Sequence, residues 1–246
     1  MPSLRRHWKD LRNRLFFALR SRAPWRRPLP PGARVPRREV LLQHELGDFL
    51  RGFDWATALA RWDRETRLRA LDVGARNFAL APVLDALLAE EGIAVEIDGV
   101  EIDPNRALWN LRTRGDYGRY FASHARQARY HGMDFLAWTE PADLIVLLNP
   151  FVTPAPVLAW GLPLSCLRPE AIFAHARRLL RPPLALLVTC HPSETELGLA
   201  SELAARAGFT AIERRNWKPG PATLQRRPRL GVLWKAAHLT GSLLGA

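Results

Sequence analysis

Three acidic residues, Asp72, Glu101 and Asp134, each stand where a hydrophobic, strand-like segment ends. The carboxyl ends of parallel strands meet at one edge of a sheet, so the three carboxylates are expected to face a common ligand site. A carboxylate at Glu101 can accept two hydrogen bonds from ribose hydroxyls, and one at Asp134 can accept a hydrogen bond from an adenine amino group. The pattern predicts a nucleotide-type cofactor site; for each acid taken alone, a solvated loop carboxylate is the alternative.

Short segments beside these acids complete the predicted site. Gly74 lets a ligand approach the backbone closely, and N–H groups at the start of the next helix remain available to it. The glycine spacing of a dinucleotide-binding fingerprint is absent, which disfavours NAD. Asp103 competes with Glu101, but it precedes Pro104 and is predicted to cap a helix. The predicted cofactor-binding residues are Asp72, Gly74, Ala75, Arg76, Asn77, Glu101, Ile102, Met133, Asp134, Phe135 and Asn149.

An alternation of strands and helices positions these residues. Residues 143–148 form a segment that is uninterruptedly apolar after Asp143, which is typical of a strand buried on both faces of a parallel sheet. The alternation predicts an α/β, doubly wound, mostly parallel sheet, and two final strands with no helix between them predict an antiparallel partner at one edge. Helices or a lid over the ligand are predicted within 40–62. The other predicted strands are 94–102, 128–131, 184–190, 210–216 and 230–235, and the other predicted helices are 79–91, 105–114, 169–181 and 193–207.

Together these motifs resemble the class I S-adenosylmethionine-dependent methyltransferase family over residues 68–235. Asp72-x-Gly74 matches the start of the family's first motif, residues 99–103 its second, residues 132–134 its third and residues 143–150 its fourth. The prolines at 182 and 183 are similar to the turn that precedes the fifth strand in the family. The resemblance implies a seven-strand sheet with a reversed last strand and S-adenosylmethionine as the methyl donor.

The first motif departs from the family at two positions. The family usually has Asp-x-Gly-x-Gly-x-Gly, whereas the second and third of these glycines are Arg76 and Phe78 here. These side chains must either swing outward or narrow the pocket for the methionine part of the cofactor. A degenerate, non-catalytic copy of the fold is therefore the alternative interpretation.

Asn149, Pro150 and Phe151 stand where methyltransferases that act on amino groups carry Asn/Asp-Pro-Pro-Tyr/Phe, with one proline missing. An amide oxygen and a backbone carbonyl can accept hydrogens from a substrate amine, while an aromatic ring supports a planar substrate. Asn-Pro is also an ordinary turn opening. If the acceptor must lose a proton, His191 is the best-placed base, and a helix-entry residue before Pro192 is the alternative.

The positive charge is concentrated in an amino-terminal arm. Residues 1–40 contain 12 Arg and Lys against 2 Asp and Glu, which gives +10 of the net +12 and leaves +2 for the rest. Residues 4–20 predict a basic amphipathic helix, and prolines predict a stiff linker up to residue 37, before a methyltransferase-like domain at 38–246. The helix could dock residues 1–38 on nucleic acid or an anionic membrane surface, or it could pack on the domain with its arginines in water.

Bulk composition narrows the class of protein. No apolar run is long enough to span a bilayer, and no secretory signal is recognisable. The two cysteines, Cys166 and Cys190, have no metal-ligand spacing and indicate neither a metal site nor a disulfide framework. A reducing, cytoplasmic location is therefore expected, with peripheral membrane contact left open. We expect a methyltransferase that acts on a small-molecule acceptor. The alternative is a non-catalytic module that binds RNA or an anionic surface through its arm.

Overall fold

Seven strands form one sheet, and helices pack on both of its faces. The computed structural model describes residues 2–22, 29, 35–108, 110–219 and 228–237. The strands are β1 (Leu68–Val73), β2 (Val95–Val100), β3 (Ala128–His131), β4 (Leu144–Leu148), β5 (Leu186–His191), β6 (Phe209–Trp217) and β7 (Arg229–Ala236). The helices are α1 (Pro2–Arg22), α2 (Arg37–Arg51), α3 (Trp55–Ala58), α4 (Leu80–Glu90), α5 (Arg114–Ala122), α6 (Pro154–Ala159), α7 (Pro169–Leu179) and α8 (Glu194–Arg206). Single 3-10 turns occur at Phe135–Ala137 and Leu164–Cys166.

The strand order is β3-β2-β1-β4-β5-β7-β6. Strands β1 to β5 are parallel, and β7 runs antiparallel to both β5 and β6. This confirms the doubly wound, mostly parallel sheet of seven strands with a reversed last strand. The reversed strand does not lie at the edge, however, because it inserts between β5 and β6. The chain winds outward in opposite directions from β1 and β4, and open α/β sheets bind ligands at such a switch point.

Strand β4 separates the two halves of the hydrophobic core. Its side chains alternate between the faces: Leu144 and Val146 belong to the cluster that includes α2, α3 and α4, whereas Ile145 and Leu147 belong to the cluster that includes α7 and α8. Burial on both faces explains why this strand has no polar residue.

The segment after Asp103 differs from the prediction. The helix predicted for residues 105–114 is wrong, since Ala107 pairs with Thr113 in an antiparallel bridge and Leu111 has φ +60°. Helix α5 begins at Arg114 instead, because Thr113 and Asp116 form a capping box in which each side chain accepts the other's backbone N–H. Asp103 caps no helix, and its carboxylate instead accepts two hydrogen bonds from the Arg20 guanidinium, at 3.0 and 2.8 Å.

Helix α1 packs on the domain through its polar side. Asn13 Nδ2 donates to the carbonyls of Leu158 (3.2 Å) and Leu162 (2.9 Å), and Asp10 accepts the backbone N–H of Leu164 at 2.6 Å. Most of the predicted linker lies outside the described residues, and the domain boundary at 37/38 stays a prediction. Among the described helices, none has both the length and the apolar character needed to cross a bilayer.

Candidate cofactor site

A cavity of about 220 Å³ opens at the carboxyl ends of β1, β2 and β4. Its walls include every residue of the predicted cofactor-binding set, together with Pro150 and Phe151. The cavity is small beside typical small-molecule sites, which have about 300–1,000 Å³. The structure therefore brings the predicted residues together around one cavity, and their role in cofactor binding stays a prediction.

The loop after β1 keeps a left-handed backbone at each position where the resemblance calls for glycine. The φ angles are +70° at Gly74, +55° at Arg76 and +62° at Phe78. The backbone N–H of Arg76 donates to Glu101 Oε2 at 2.8 Å, and its carbonyl accepts the Tyr130 hydroxyl at 2.9 Å. These two bonds stabilise a conformation that L-residues rarely adopt.

Phe78 turns away from the cavity into the core. Its ring is fully buried and lies 5.9 Å from the ring of Tyr130. It occupies the space that a side chain at position 99 would need, since a Cβ added to Gly99 would come within 2.4 Å of the ring. Phe78 is not among the residues that line the cavity, so it leaves the ligand space open.

Arg76 points the other way and narrows the cavity. Its guanidinium lies 4.7 Å from the centre of the Trp160 ring, and the guanidinium of Arg114 lies 5.2 Å from the same ring. Burial lowers the pKa of Arg76, and the positive charge of Arg114 lowers it further. Arg76 Nε is buried without a hydrogen-bond partner in the described part of the chain. Each residue thus takes one of the two predicted alternatives: Phe78 turns outward from the cavity, and Arg76 narrows it.

The carboxylate of Glu101 is buried and already bonded. Its Oε1 accepts the backbone N–H of Asp103 and Nη1 of Arg114, both at 2.9 Å, and its Oε2 accepts the N–H of Arg76. A carboxylate has about four lone-pair positions, so at least one remains for a ligand hydroxyl. Arg114 was not predicted as a site residue, because only the irregular segment before α5 brings it back to Glu101.

Asp72 lies at the floor of the site with a perturbed acidity. Burial, the largest cause, and the nearby Glu101 charge together raise the pKa of its carboxyl to about 8, although the charge of Arg76 lowers it. The raised pKa favours the protonated form of Asp72. A cationic ligand group beside it would favour the ionised form.

Asp134 follows β3 on the same side of the sheet. Its Oδ1 accepts the backbone N–H of Leu136 at 3.0 Å, which caps the 3-10 turn, and its Oδ2 accepts from Nη2 of Arg168. Arg168 also lines the cavity and was not predicted. Phe135 is buried against the ring of His175, with centroids 4.7 Å apart.

Asn149, Pro150 and Phe151 line the cavity beyond β4. Asn149 has φ +56°, and its Oδ1 accepts a 2.8 Å hydrogen bond from Nη1 of Arg229. The amide oxygen that was predicted to receive a substrate amine is therefore engaged by the protein. The rings of Phe151 and Trp160 lie 6.3 Å apart, and both residues line the cavity.

His191 is the one predicted site residue that the structure places elsewhere. It is fully buried at the end of β5, it does not line the cavity, and its Nε2 lies 2.9 Å from Thr189 Oγ1. Burial lowers its pKa to about 4, so it stays neutral. The catalytic role of His191 remains a prediction without a geometric basis. Helix α2 instead contributes a buried carboxylate, Glu45, to the cavity wall. This helix lies in the region for which the sequence predicted either helices or a lid over the ligand.

Comparison with known proteins supports the fold. No family model and no curated protein matches the sequence. A candidate class I S-adenosylmethionine-dependent methyltransferase from Listeria monocytogenes is similar in structure, with TM-score 0.57 and 15% identity over 85% of this chain. The match covers only 64% of that protein's length. A candidate RNA methyltransferase from Pyrococcus horikoshii has TM-score 0.52 and 13% identity, covering 93% of this chain and 98% of that one. Magnesium protoporphyrin IX methyltransferase from Synechocystis, with bound S-adenosylmethionine, has TM-score 0.51 and 13% identity, covering 87% and 89%.

Proposed function

We propose that this chain, which has the fold of class I S-adenosylmethionine-dependent methyltransferases, binds S-adenosylmethionine and transfers its methyl group to a small-molecule acceptor. The observation that carries the proposal is the convergence of Asp72, Glu101 and Asp134, from three adjacent strand ends, on one cavity. The level of sequence identity to the similar structures is too low to assign their activities to this chain, so the chemistry of the site has to support the proposal by itself.

The polar groups of the cavity fit the parts of this cofactor. Glu101 has lone-pair capacity left for a ribose hydroxyl, and Asp134 can accept from an adenine amino group. Asp72, once ionised, would oppose the ammonium group of the methionine part, and Arg76 would donate to its carboxylate. The buried, unpartnered Nε of Arg76 supports this last role, since a guanidinium with unmet hydrogen bonds is matched by an anionic ligand group.

When bound, S-adenosylmethionine supplies an electrophilic methyl group on a sulfonium. The protein's contribution is to hold an acceptor in line and to exclude water. Phe151 and Trp160 provide apolar surface for the acceptor. Asn149 can orient the acceptor if the hydrogen bond between Arg229 and Asn149 breaks. Where the acceptor has to lose a proton, Glu45 replaces His191 as the candidate base, because it is a carboxylate on the cavity wall.

Titration calorimetry with S-adenosylmethionine and S-adenosylhomocysteine tests the cofactor assignment. We expect binding of both, and we expect Glu101→Ala to weaken it about tenfold or more, because a hydrogen bond to a charged group contributes about 1.5–3 kcal/mol. Glu202→Ala, at an exposed position on α8, is the matched control and should bind like the native chain. No binding at millimolar ligand, or equal binding by the two variants, would contradict the proposal.

The acceptor class is tested with methyl-labelled S-adenosylmethionine. The charge of +2 outside residues 1–40 argues against a long nucleic-acid groove on the domain and favours a small acceptor. We therefore expect label in the small-molecule fraction of a cell extract. Label recovered in RNA instead would overturn this part of the proposal and leave the cofactor assignment intact.

A further inference from the structure

Helix α1 presents its apolar face to solvent and its polar face to the protein. Six of its large apolar side chains are between 50 and 66% exposed. Asp10 and Asn13, by contrast, are buried against the segment after α6. A surface helix normally turns its apolar stripe toward the core, so this arrangement is inverted. The exposed set is Leu4, Trp8, Leu11, Leu15, Phe16 and Leu19.

The exposed apolar side chains form a continuous stripe. At about 100° per residue, all of them except Phe16 fall within about 80° of the helix circumference. Single exposed apolar residues are scattered over most protein surfaces, but this stripe is more concentrated than such a scatter. In the described part of the chain, the other exposed large hydrophobic residues each lie on a different element or loop; they are Val40, Leu111, Leu199 and Ile212.

Cationic side chains border the stripe on both sides. Arg5 and Arg12 lie along one border and Arg14 along the other, and all three are exposed. Asp10 is the sole acidic residue of α1. It is buried in the contact with the domain, where it also pairs with Arg14 at 2.9 Å. Apolar residues with a tryptophan, flanked by arginines, match an anionic lipid surface, where the stripe enters the acyl boundary and the cations meet phosphate groups.

The helix is held in place by bonds that do not use the stripe. The Arg20 guanidinium makes two hydrogen bonds to the buried Asp103, and the Asn105 side chain donates to the Arg20 carbonyl at 3.0 Å. The stripe therefore stays available without detaching the helix from the domain. The segment that α1 contacts also supplies Trp160 and Leu162 to the cavity wall, so a surface bound by α1 lies next to the candidate site.

We propose that α1 is a membrane-docking helix that lies in the plane of an anionic bilayer surface, with its exposed apolar stripe inserted and Arg5, Arg12 and Arg14 in the headgroup layer. A nucleic-acid partner would use the arginines and leave the apolar stripe in water, which the exposed leucines disfavour. The proposal does not depend on the methyltransferase assignment.

Vesicle co-sedimentation of the full chain tests the proposal. We expect binding to phosphatidylcholine vesicles that contain phosphatidylglycerol, weak binding to phosphatidylcholine alone, and a decrease as salt rises from roughly 0.1 to 0.5 M. The double variant Leu11→Glu/Leu15→Glu should lower the partition coefficient at least about tenfold, because two inserted apolar groups are lost and two like charges are added. The double variant Leu199→Glu/Ile212→Glu adds the same charge at exposed positions elsewhere and should bind as the native chain does.

Three results would overturn the proposal. The first is the absence of anionic-vesicle binding, and the second is equal loss in both double variants. The third is a concentration-dependent dimer in sedimentation velocity that Leu11→Glu/Leu15→Glu abolishes without vesicles, which would assign the stripe to a second copy of the chain. Thermal unfolding followed by circular dichroism tests whether the variants fold. Because the substituted positions are exposed, we expect unchanged melting temperatures.

Discussion

Arg76 is the position where strain and ligand binding can be separated by two substitutions. Arg76→Gly and Arg76→Ala both remove the guanidinium, but only glycine relaxes the φ of +55°. A left-handed conformation costs an L-residue about 1–2 kcal/mol. The greater freedom of glycine in the unfolded chain costs about 0.5–1 kcal/mol. We therefore expect the glycine variant to be more stable than the alanine variant by up to about 1.5 kcal/mol in urea unfolding. A more stable alanine variant would refute the argument from backbone strain.

The same two variants test how Arg76 meets the cofactor. If the guanidinium donates to a carboxylate, both variants should bind S-adenosylhomocysteine about 10- to 100-fold more weakly, which corresponds to about 1.5–3 kcal/mol. Methylthioadenosine lacks the amino-acid part, so its affinity should not fall. Tighter binding of S-adenosylhomocysteine by Arg76→Gly would show that the side chain only blocks the narrowed cavity, and would refute the carboxylate role.

Two further predictions concern Asp72 and Gly99. Burial raises the pKa of Asp72 in the folded protein to about 8, from an ordinary value of 3.8. Between these two pH values the unfolded chain releases a proton that the folded protein keeps. The ionisation of Asp72 therefore lowers the free energy of unfolding by an amount that is absent below about pH 4 and grows up to about pH 8. Asp72→Asn should thus gain stability over the native chain as pH rises from 5 to 8 in urea unfolding, by at most about 1.4 kcal/mol per pH unit; a constant difference would contradict it. Gly99→Ala should destabilise the fold by about 1–3 kcal/mol, since its Cβ would meet the buried Phe78 ring. Gly198→Ala, with open space at its Cβ, should not be destabilised, and similar losses in both would refute the packing argument.

Periodic patterns predicted most of the sheet because burial dictates them. The apolar run of β4 is buried on both faces, and the acids after β1, β2 and β3 lie at one edge because the strands are parallel. The cavity therefore follows from the order of strands and helices. The insertion of β7 between β5 and β6 could not be deduced in this way, since a loop of the same length allows the antiparallel strand on either side of β6.

The errors concern features that depend on loop geometry. Residues 105–114 have apolar residues at helical spacing, but the capping pair Thr113 and Asp116 fixes the helix start at Arg114, about two and a half turns later than predicted. That pair was the sequence signal that could have corrected the prediction. The contact of Arg114 with Glu101 and the engagement of Asn149 by Arg229 carry no such signal. The orientation of α1 also carries no sequence signal, because amphipathicity identifies an apolar face without specifying whether that face contacts the protein or the solvent.

The loop after β1 has the backbone conformation of a glycine-rich loop, although Arg76 and Phe78 occupy two of its left-handed positions. The cost of this conformation is offset differently at the two residues. Left-handed φ at Arg76 and Phe78 costs about 1–2 kcal/mol at each. Phe78 offsets this cost through full burial of its ring, which for a large apolar side chain contributes about 1.5–3 kcal/mol. For Arg76, the contact of its guanidinium with the Trp160 ring and the charges of Glu39 and Glu101 offset part of the cost. The guanidinium is nevertheless buried near Arg114, and its Nε lacks a hydrogen-bond partner within the described ranges. Folding thus accounts for Phe78, whereas the contact with an anionic ligand group that we propose would satisfy the remaining donor of Arg76.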